Sequence, residues 1–227
     1  AEPGAMRVLP WLPALLVAPP AAAAAELSAD ERRMAEIVSA EEERSIALLE
    51  RLVNRNSGTL NLDGVRAVAD IIRAELEPLG FEVRWVDMAE TGRAGHIVAT
   101  HRGDGSGKRV LLIAHLDTVF EADSPFRSFA RDGSRATGPG IGDDKGGMAV
   151  VIAALRAMEQ AGTLEDADVM VVFTGDEERP GAPLELARRD LIEAGRWADV
   201  AVEVENLAPD DGRDFATLAP RSAPRWA

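Results

Sequence analysis

Val110-Leu111-Leu112-Ile113-Ala114-His115-Leu116-Asp117 runs from an unbroken apolar segment straight into a histidine and an aspartate. A short continuous apolar run is the mark of a strand covered on both faces. Polar residues that are costly to bury come at once at its carboxyl end. Two later segments repeat the pattern. Val169 to Phe173 runs through Thr174-Gly175-Asp176 into Glu177-Glu178, and Val200 to Val204 ends at Glu205. Between them, Met148 to Met158 and Leu184 to Ala194 carry helical apolar spacing. Strand, loop and helix in alternation predict an α/β fold of three layers around a largely parallel, mixed sheet. In such sheets, sites form beyond the carboxyl ends of the strands.

Upstream, the pattern is helical first and extended later. Ser28 with Glu31 three residues on reads as a capping box. Met34, Ile37 and Val38, then Ile46, Leu49, Leu52 and Val53, recur at helical spacing. Asn56-Ser57-Gly58 reads as a turn. Asn61 caps a further helix with Val65, Val68, Ile72, Leu76 and Leu79 on one face, and Gly80 ends it. Phe81 to Val86 and His96 to Thr100 read as strands.

Composition excludes several classes of function. Asp and Glu number 39 against 25 Lys and Arg, for a net charge of -14, so the chain repels nucleic acid and anionic membranes. There is no cysteine, which removes disulfides, thiolate metal sites and cysteine nucleophiles. Histidine chemistry must come from His96, His101 or His115. His96 lies mid-strand and His101 at a turn, and neither is read as a ligand.

The N-terminus looks like an address. Arg7 precedes the apolar stretch Val8 to Val17, and Pro19-Pro20 lead into the alanines 21–25. A basic residue, a short apolar core and small residues make a signal-peptide pattern. Residues 1–25 are therefore expected to be a signal peptide, with 1–5 an upstream scar before Met6. The prolines and the short length argue against a stable membrane anchor. A periplasmic or secreted bacterial location follows. Residues 26–208 are expected to form the folded part of the chain, and 209–227, rich in Asp, Pro, Arg and Ser, a connector.

The chemistry gathers at one sheet edge. His115, Asp117, Glu177, Glu178 and Glu205 follow the strands. The loop Gly138-Pro139-Gly140-Ile141-Gly142-Asp143-Asp144-Lys145-Gly146-Gly147 brings two more acids to the same rim. So many carboxylates repel one another unless a cation neutralises them. Nitrogen and oxygen donors without sulfur suit zinc or a related divalent ion. Two dications balance Asp144, Glu178, Glu205 and a bridging hydroxide, which argues for two ions. The glycine-rich loop fails phosphate-loop spacing and carries acids, so a cation is favoured over an anion.

These motifs resemble the di-zinc metallopeptidase family that includes glutamate carboxypeptidase, aminoacylase, acetylornithine deacetylase and succinyl-diaminopimelate desuccinylase. The matching pieces are His115-Leu116-Asp117-Thr118-Val119, Gly140 to Gly147 and Asp176-Glu177-Glu178. The resemblance implies that His115 and Glu205 bind one zinc, Glu178 the other, and Asp144 bridges them. It makes Asp117 the residue that orients His115, and Glu177 the general base. Cobalt or manganese can occupy such donors too. The implied substrates are peptides or N-acyl amino acids.

The family also has a second histidine ligand late in a longer chain and an inserted lid and dimerisation domain. Neither occurs in these 227 residues, and no histidine follows His115. The resemblance thus makes residues 26–208 the N-terminal part of a zinc-hydrolase catalytic domain and 209–227 a connector towards an absent lid, and the chain is expected to be a truncated form of low activity, incomplete at the C-terminal side of its sheet. A homodimer is expected only where the lid is present. The competing expectation is a non-catalytic metal-binding or interaction fragment. A third is that another polypeptide supplies the missing half.

Overall fold

The computed structural model describes residues 26–205, 208–210 and 213–215. The expected signal peptide lies outside these residues.

Two helices open the described chain, α1 (Ala29–Ala40) and α2 (Glu42–Val53). The capping box is present: the Glu31 N–H donates to Ser28 Oγ at 3.2 Å and the Ser28 N–H to the Glu31 carboxylate at 2.6 Å. Helix α3 (Leu62–Leu76) is capped by Asn61, whose side-chain oxygen accepts the Gly64 N–H at 3.2 Å. It buries Val65, Val68, Ala69, Ile72 and Leu76. Each fully buried large aliphatic chain is worth about 1.5–3 kcal/mol, which outweighs the ~1 kcal/mol cost of Gly64 in a helix.

Strands β1 (Glu82–Asp87), β2 (Gly95–His101) and β3 (Val110–His115) follow. A small hairpin, β4 (Ala130–Asp132) with β5 (Arg135–Thr137), stands apart from the main sheet. Helix α4 (Lys145–Ala161) leads to β6 (Val169–Thr174). The single helix expected after residue 184 is two, α5 (Leu184–Ala187) and α6 (Arg189–Trp197), divided at Arg188. Strand β7 (Val200–Glu203) completes the main sheet. The stretch read as a connector includes a separate pair of short strands, β8 (Ala208–Asp210) and β9 (Arg213–Phe215).

The sheet order is β1-β2-β6-β3-β7. Strand β3 runs parallel to β6 and β7, while β2 is antiparallel to β1 and β6. The sheet is thus mixed, with its parallel half around β3. One face carries the larger core, in which Leu52, Val68, Ile72, Met148, Ile152 and Phe173 meet. The other face packs Val98, Leu111 and Val172 with Ala194 of α6. Helices on both faces make the three layers.

Register sets the site. His115 pairs with Thr174, so β3 and β6 end side by side. The Leu116 N–H then donates to the Thr174 carbonyl at 2.7 Å, and the Val204 N–H to the Ile113 carbonyl at 3.2 Å. The residues after all three strands share one rim. Strand β7 has only β3 beside it among the described residues, and Val200 and Val202 are exposed.

Candidate metal centre

His115 is buried at the end of β3. Its Nδ1 lies 3.0 Å from the Asp117 carbonyl oxygen and 3.5 Å from Asp117 Oδ1. Its Nε2 faces outward, 2.8 Å from Asp143 Oδ1 and 3.8 Å from Glu205 Oε1. Donor atoms of His115, Asp143 and Glu205 all lie within 4.8 Å of one another. This group is spaced to hold a cation.

Asp143 stands where Asp144 was expected. Asp144 begins α4 and turns its carboxylate inward, fully buried. One oxygen accepts the His115 backbone N–H at 3.2 Å, and the other has no hydrogen-bond partner among the described residues. Gly147 makes room for it, since a Cβ there would collide with Asp144 Oδ1 and the Val204 carbonyl. Adjacent residues at a helix start face different ways. The structure therefore brings Asp143, not Asp144, to the imidazole nitrogen that points outward.

Asp117 is the hub beneath the rim. Its Oδ1 accepts the Glu177 N–H at 3.0 Å; its Oδ2 accepts the Glu178 N–H at 3.2 Å and the Thr59 hydroxyl at 2.6 Å. Asp117 fixes the backbone of the Glu177-Glu178 pair, a role beyond the expected orientation of His115. Both glutamates reach the rim, with Glu177 exposed and Glu178 half-buried. Asp176 of the same motif is buried and structural. It accepts the Gly181 N–H at 2.8 Å and an Arg188 guanidinium N–H at 2.6 Å.

Electrostatics agree with this layout. Burial alone pushes the His115 imidazole down, but the hydrogen bond and charge of Asp117, with Asp144 and Asp143, outweigh it and raise the pKa to about 10. Burial raises Asp144 to about 7, helped by Glu205 and Asp143 and opposed by His115. Glu178 is raised by burial and then by Asp143. Glu205 is raised by burial and then by Glu203. Asp117 sits below its ordinary value: burial opposes, and hydrogen bonds from His115 and Thr59 win. The rim thus holds more negative charge than it can comfortably ionise, which is what a dication would relieve. The donors are nitrogen and oxygen only, and one buried carboxylate oxygen is unpaired. The residues present fit a hard or borderline divalent ion.

The other two histidines lie against backbone groups. His96 Nδ1 accepts the Gly175 N–H at 3.0 Å, and Nε2 meets the Ala187 carbonyl at 3.0 Å. His101 Nδ1 lies 2.9 Å from the Ala167 carbonyl. A cavity of about 130 Å³ opens beside the centre, lined by His115, Thr174, Glu177, Arg188, Leu191 and Glu205 among others. A larger, open hollow of about 630 Å³ lies between Leu60–Asp63 and Glu121–Asp123. It contains no imidazole and no buried acid, so its size does not make it the site.

Residues 111–212 match the model of Peptidase family M20/M25/M40. That segment is homologous to part of a peptidase domain of this family. It is 37% identical over 171 residues to carboxypeptidase G2 of Pseudomonas sp. (strain RS-16), covering 73% of this chain and 39% of that protein. It is 30% identical over 144 residues to succinyl-diaminopimelate desuccinylase of Leptothrix cholodnii, covering 60% of this chain and 36% of that one. The chain thus spans well under half of these relatives. Among solved structures, human carnosine dipeptidase 1 superposes with a TM-score of 0.66 at 19% identity, over 78% of this chain and 41% of that one. The di-peptidase Dug1p of Saccharomyces cerevisiae gives 0.63 at 18%, with the same coverage of each chain. At such identity the structural likeness speaks for the fold.

Proposed function

We propose that the chain is the N-terminal portion of the catalytic domain of an exported, zinc-dependent hydrolase of peptide or N-acyl amide bonds. One observation carries this reading. The outward nitrogen of His115 meets Asp143 and Glu205 at the carboxyl ends of the parallel strands, above a buried and unpaired carboxylate oxygen. Family membership supports metal-dependent hydrolysis, and the sulfur-free donor set supports zinc, with cobalt or manganese as substitutes. His115, Asp143 and Glu205 would hold one ion. Glu178, whose charge faces Asp143, would serve a second.

A dication held by these residues would polarise a carbonyl and would lower the pKa of water from about 15.7 towards ~7. The chain's own residues do the rest. Asp117 keeps the proton of His115 on Nδ1, so that Nε2 is free to donate its lone pair. Glu177, at the wall of the cavity and held by its own N–H, takes a proton from the attacking water and returns it to the leaving amine. The cavity beside His115 accommodates part of the substrate.

Metal titration and a hydrolysis assay test the two halves of this reading. The chain should bind zinc or cobalt, and His115→Ala should abolish that binding. Turnover of dipeptides and N-acyl amino acids should be slow in this chain. In any form that turns over, Glu177→Gln should cut the rate by about 10²–10⁴ while metal content holds. Metal uptake indifferent to His115→Ala would defeat the proposal, and hydrolysis indifferent to Glu177→Gln would reduce the chain to a binding fragment. For the leader, the mass of the exported protein should correspond to a start near Glu26.

A further inference from the structure

Asp117 is fully buried, and its carboxylate receives four polar neighbours from three separate segments. Oδ1 takes the Glu177 N–H at 3.0 Å and lies 3.5 Å from His115 Nδ1. Oδ2 takes the Glu178 N–H at 3.2 Å and the Thr59 hydroxyl at 2.6 Å. The short O–O distance is that of a hydroxyl donating to an ionised carboxylate. The direction is fixed, because an ionised carboxylate only accepts.

Thr59 comes 58 residues before Asp117, and the backbone around it is built to hold it there. Residues 57–59 lie alongside the residue after Asp117: the Thr59 N–H donates to the Thr118 carbonyl at 3.2 Å and the Thr118 N–H to the Ser57 carbonyl at 2.9 Å. Asn56 Nδ2 donates to the Phe120 and Glu121 carbonyls at 2.8 and 3.1 Å. Gly58 permits the approach, since a Cβ there would collide with the Glu121 backbone. Thr59 itself is buried.

A carboxylate on a single bond can rotate about it. Rotation of Asp117 would release both glutamate amides and take away the carboxylate oxygen 3.5 Å from His115 Nδ1, leaving that nitrogen only the Asp117 carbonyl at 3.0 Å. The two amide bonds come from one loop, so they constrain the carboxylate as a single body. Thr59 supplies the independent anchor from outside that loop. We propose that Thr59 is a positioning residue of the metal centre: its hydroxyl fixes the Asp117 carboxylate in the orientation that holds His115 and the Glu177-Glu178 backbone together. The inference rests on the metal-dependent reading above.

The test uses the 227-residue chain with Thr59→Val, which keeps the shape, and Thr59→Ser, which keeps the hydroxyl. Zinc affinity is measured by competition with a chromophoric chelator. Thr59→Val should weaken it about tenfold, and Thr59→Ser should stay within about threefold of the parent, in line with other partners that orient a ligand from behind. A parent-like Thr59→Val, or a Thr59→Ser as weak as Thr59→Val, overturns the proposal. Hydrogen exchange at the Glu177 and Glu178 amides in zinc-free protein gives a second reading that needs no metal. Both amides should exchange about tenfold faster in Thr59→Val alone. If even the parent chain binds no zinc, the metal reading fails by itself. The exchange rates then decide Thr59: faster in the valine variant alone upholds its hold on Asp117, and unchanged rates refute it.

Discussion

The two sides of the centre are built on opposite terms. On the inner side, His115, Asp117 and Asp144 are essentially removed from solvent. On the rim, the side chains of Asp143 and Glu205 keep 57% and 43% of their exposure. The inner groups are tied by backbone: an N–H from His115, and N–H groups from Glu177 and Glu178. Among the described residues, the imidazole is the hydrogen-bond or ion-pair partner of both rim groups. The difference teaches where the fold commits itself. Buried charges are expensive unless fully paired, so the inner side must be formed by folding and is costly to disturb. The rim can adjust to whatever it binds.

Asp117→Ala should show the largest effect. It strips a buried carboxylate from His115, Thr59 and two amides, and should cost about 3–5 kcal/mol in urea unfolding. A loss no greater than that of an exposed rim substitution would erase the distinction between the two sides.

Asp144→Asn sharpens it in the other direction. The native fold raises the pKa of this carboxyl from 3.8 to about 7, so ionisation is disfavoured in the folded state. Stability is therefore withheld above pH 7 and restored as pH falls towards 3.8. The neutral amide should stabilise the zinc-free protein by about 1–3 kcal/mol at pH 8, and the gain should vanish near pH 4.

His115 predicts a slope of the same sign at higher pH. Its pKa is raised from 6.5 to about 10, so its contribution is fully present below pH 6.5 and is lost as pH rises through 10. Zinc-free protein should lose at most about 1.4 kcal/mol per pH unit across that window. Zinc affinity should instead climb with pH, because the cation and the Nε2 proton compete for one lone pair. Melting temperatures across pH, with and without zinc, check both signs.

Glu205→Ala should show the smallest change in stability, within about 0.5 kcal/mol, because its side chain is exposed at the rim. Its zinc affinity should nonetheless fall. A rim variant that alters stability and leaves metal binding untouched would invert the assignment of the two sides.

Much of this was legible in the sequence where the signal is local. The apolar run of β3 ending in His115, the Ser28 capping box and the Asn61 cap all depend on neighbours a few residues away. The choice between Asp143 and Asp144 was not, because spacing alone cannot say which of two adjacent acids faces the rim. The clue available was Gly147, whose missing side chain leaves room for the carboxylate that begins the helix. The hairpin of β4 and β5 escaped because Arg131, Asp132 and Arg135 give it no apolar alternation, although Asp132-Gly133 marks its turn. Thr59 left no trace at all, since a contact 58 residues distant has no local pattern. Its segment reads only as a turn. The antiparallel half of the sheet was hidden for the same reason: pairing partners are set by the whole topology.

The Asp117 junction bears on how such a chain can change over generations. Residues 57–59, 115–117 and 177–178 are distant in sequence but answer to one carboxylate, so their substitutions should be epistatic. A change at Thr59 is harmless only if Asp117 has already found another donor. A change at Asp117 is survivable only if the loop before Arg179 has found another acceptor. Paths that alter these segments one at a time should therefore be narrow, and change should be easier at neighbouring positions such as the exposed Val119.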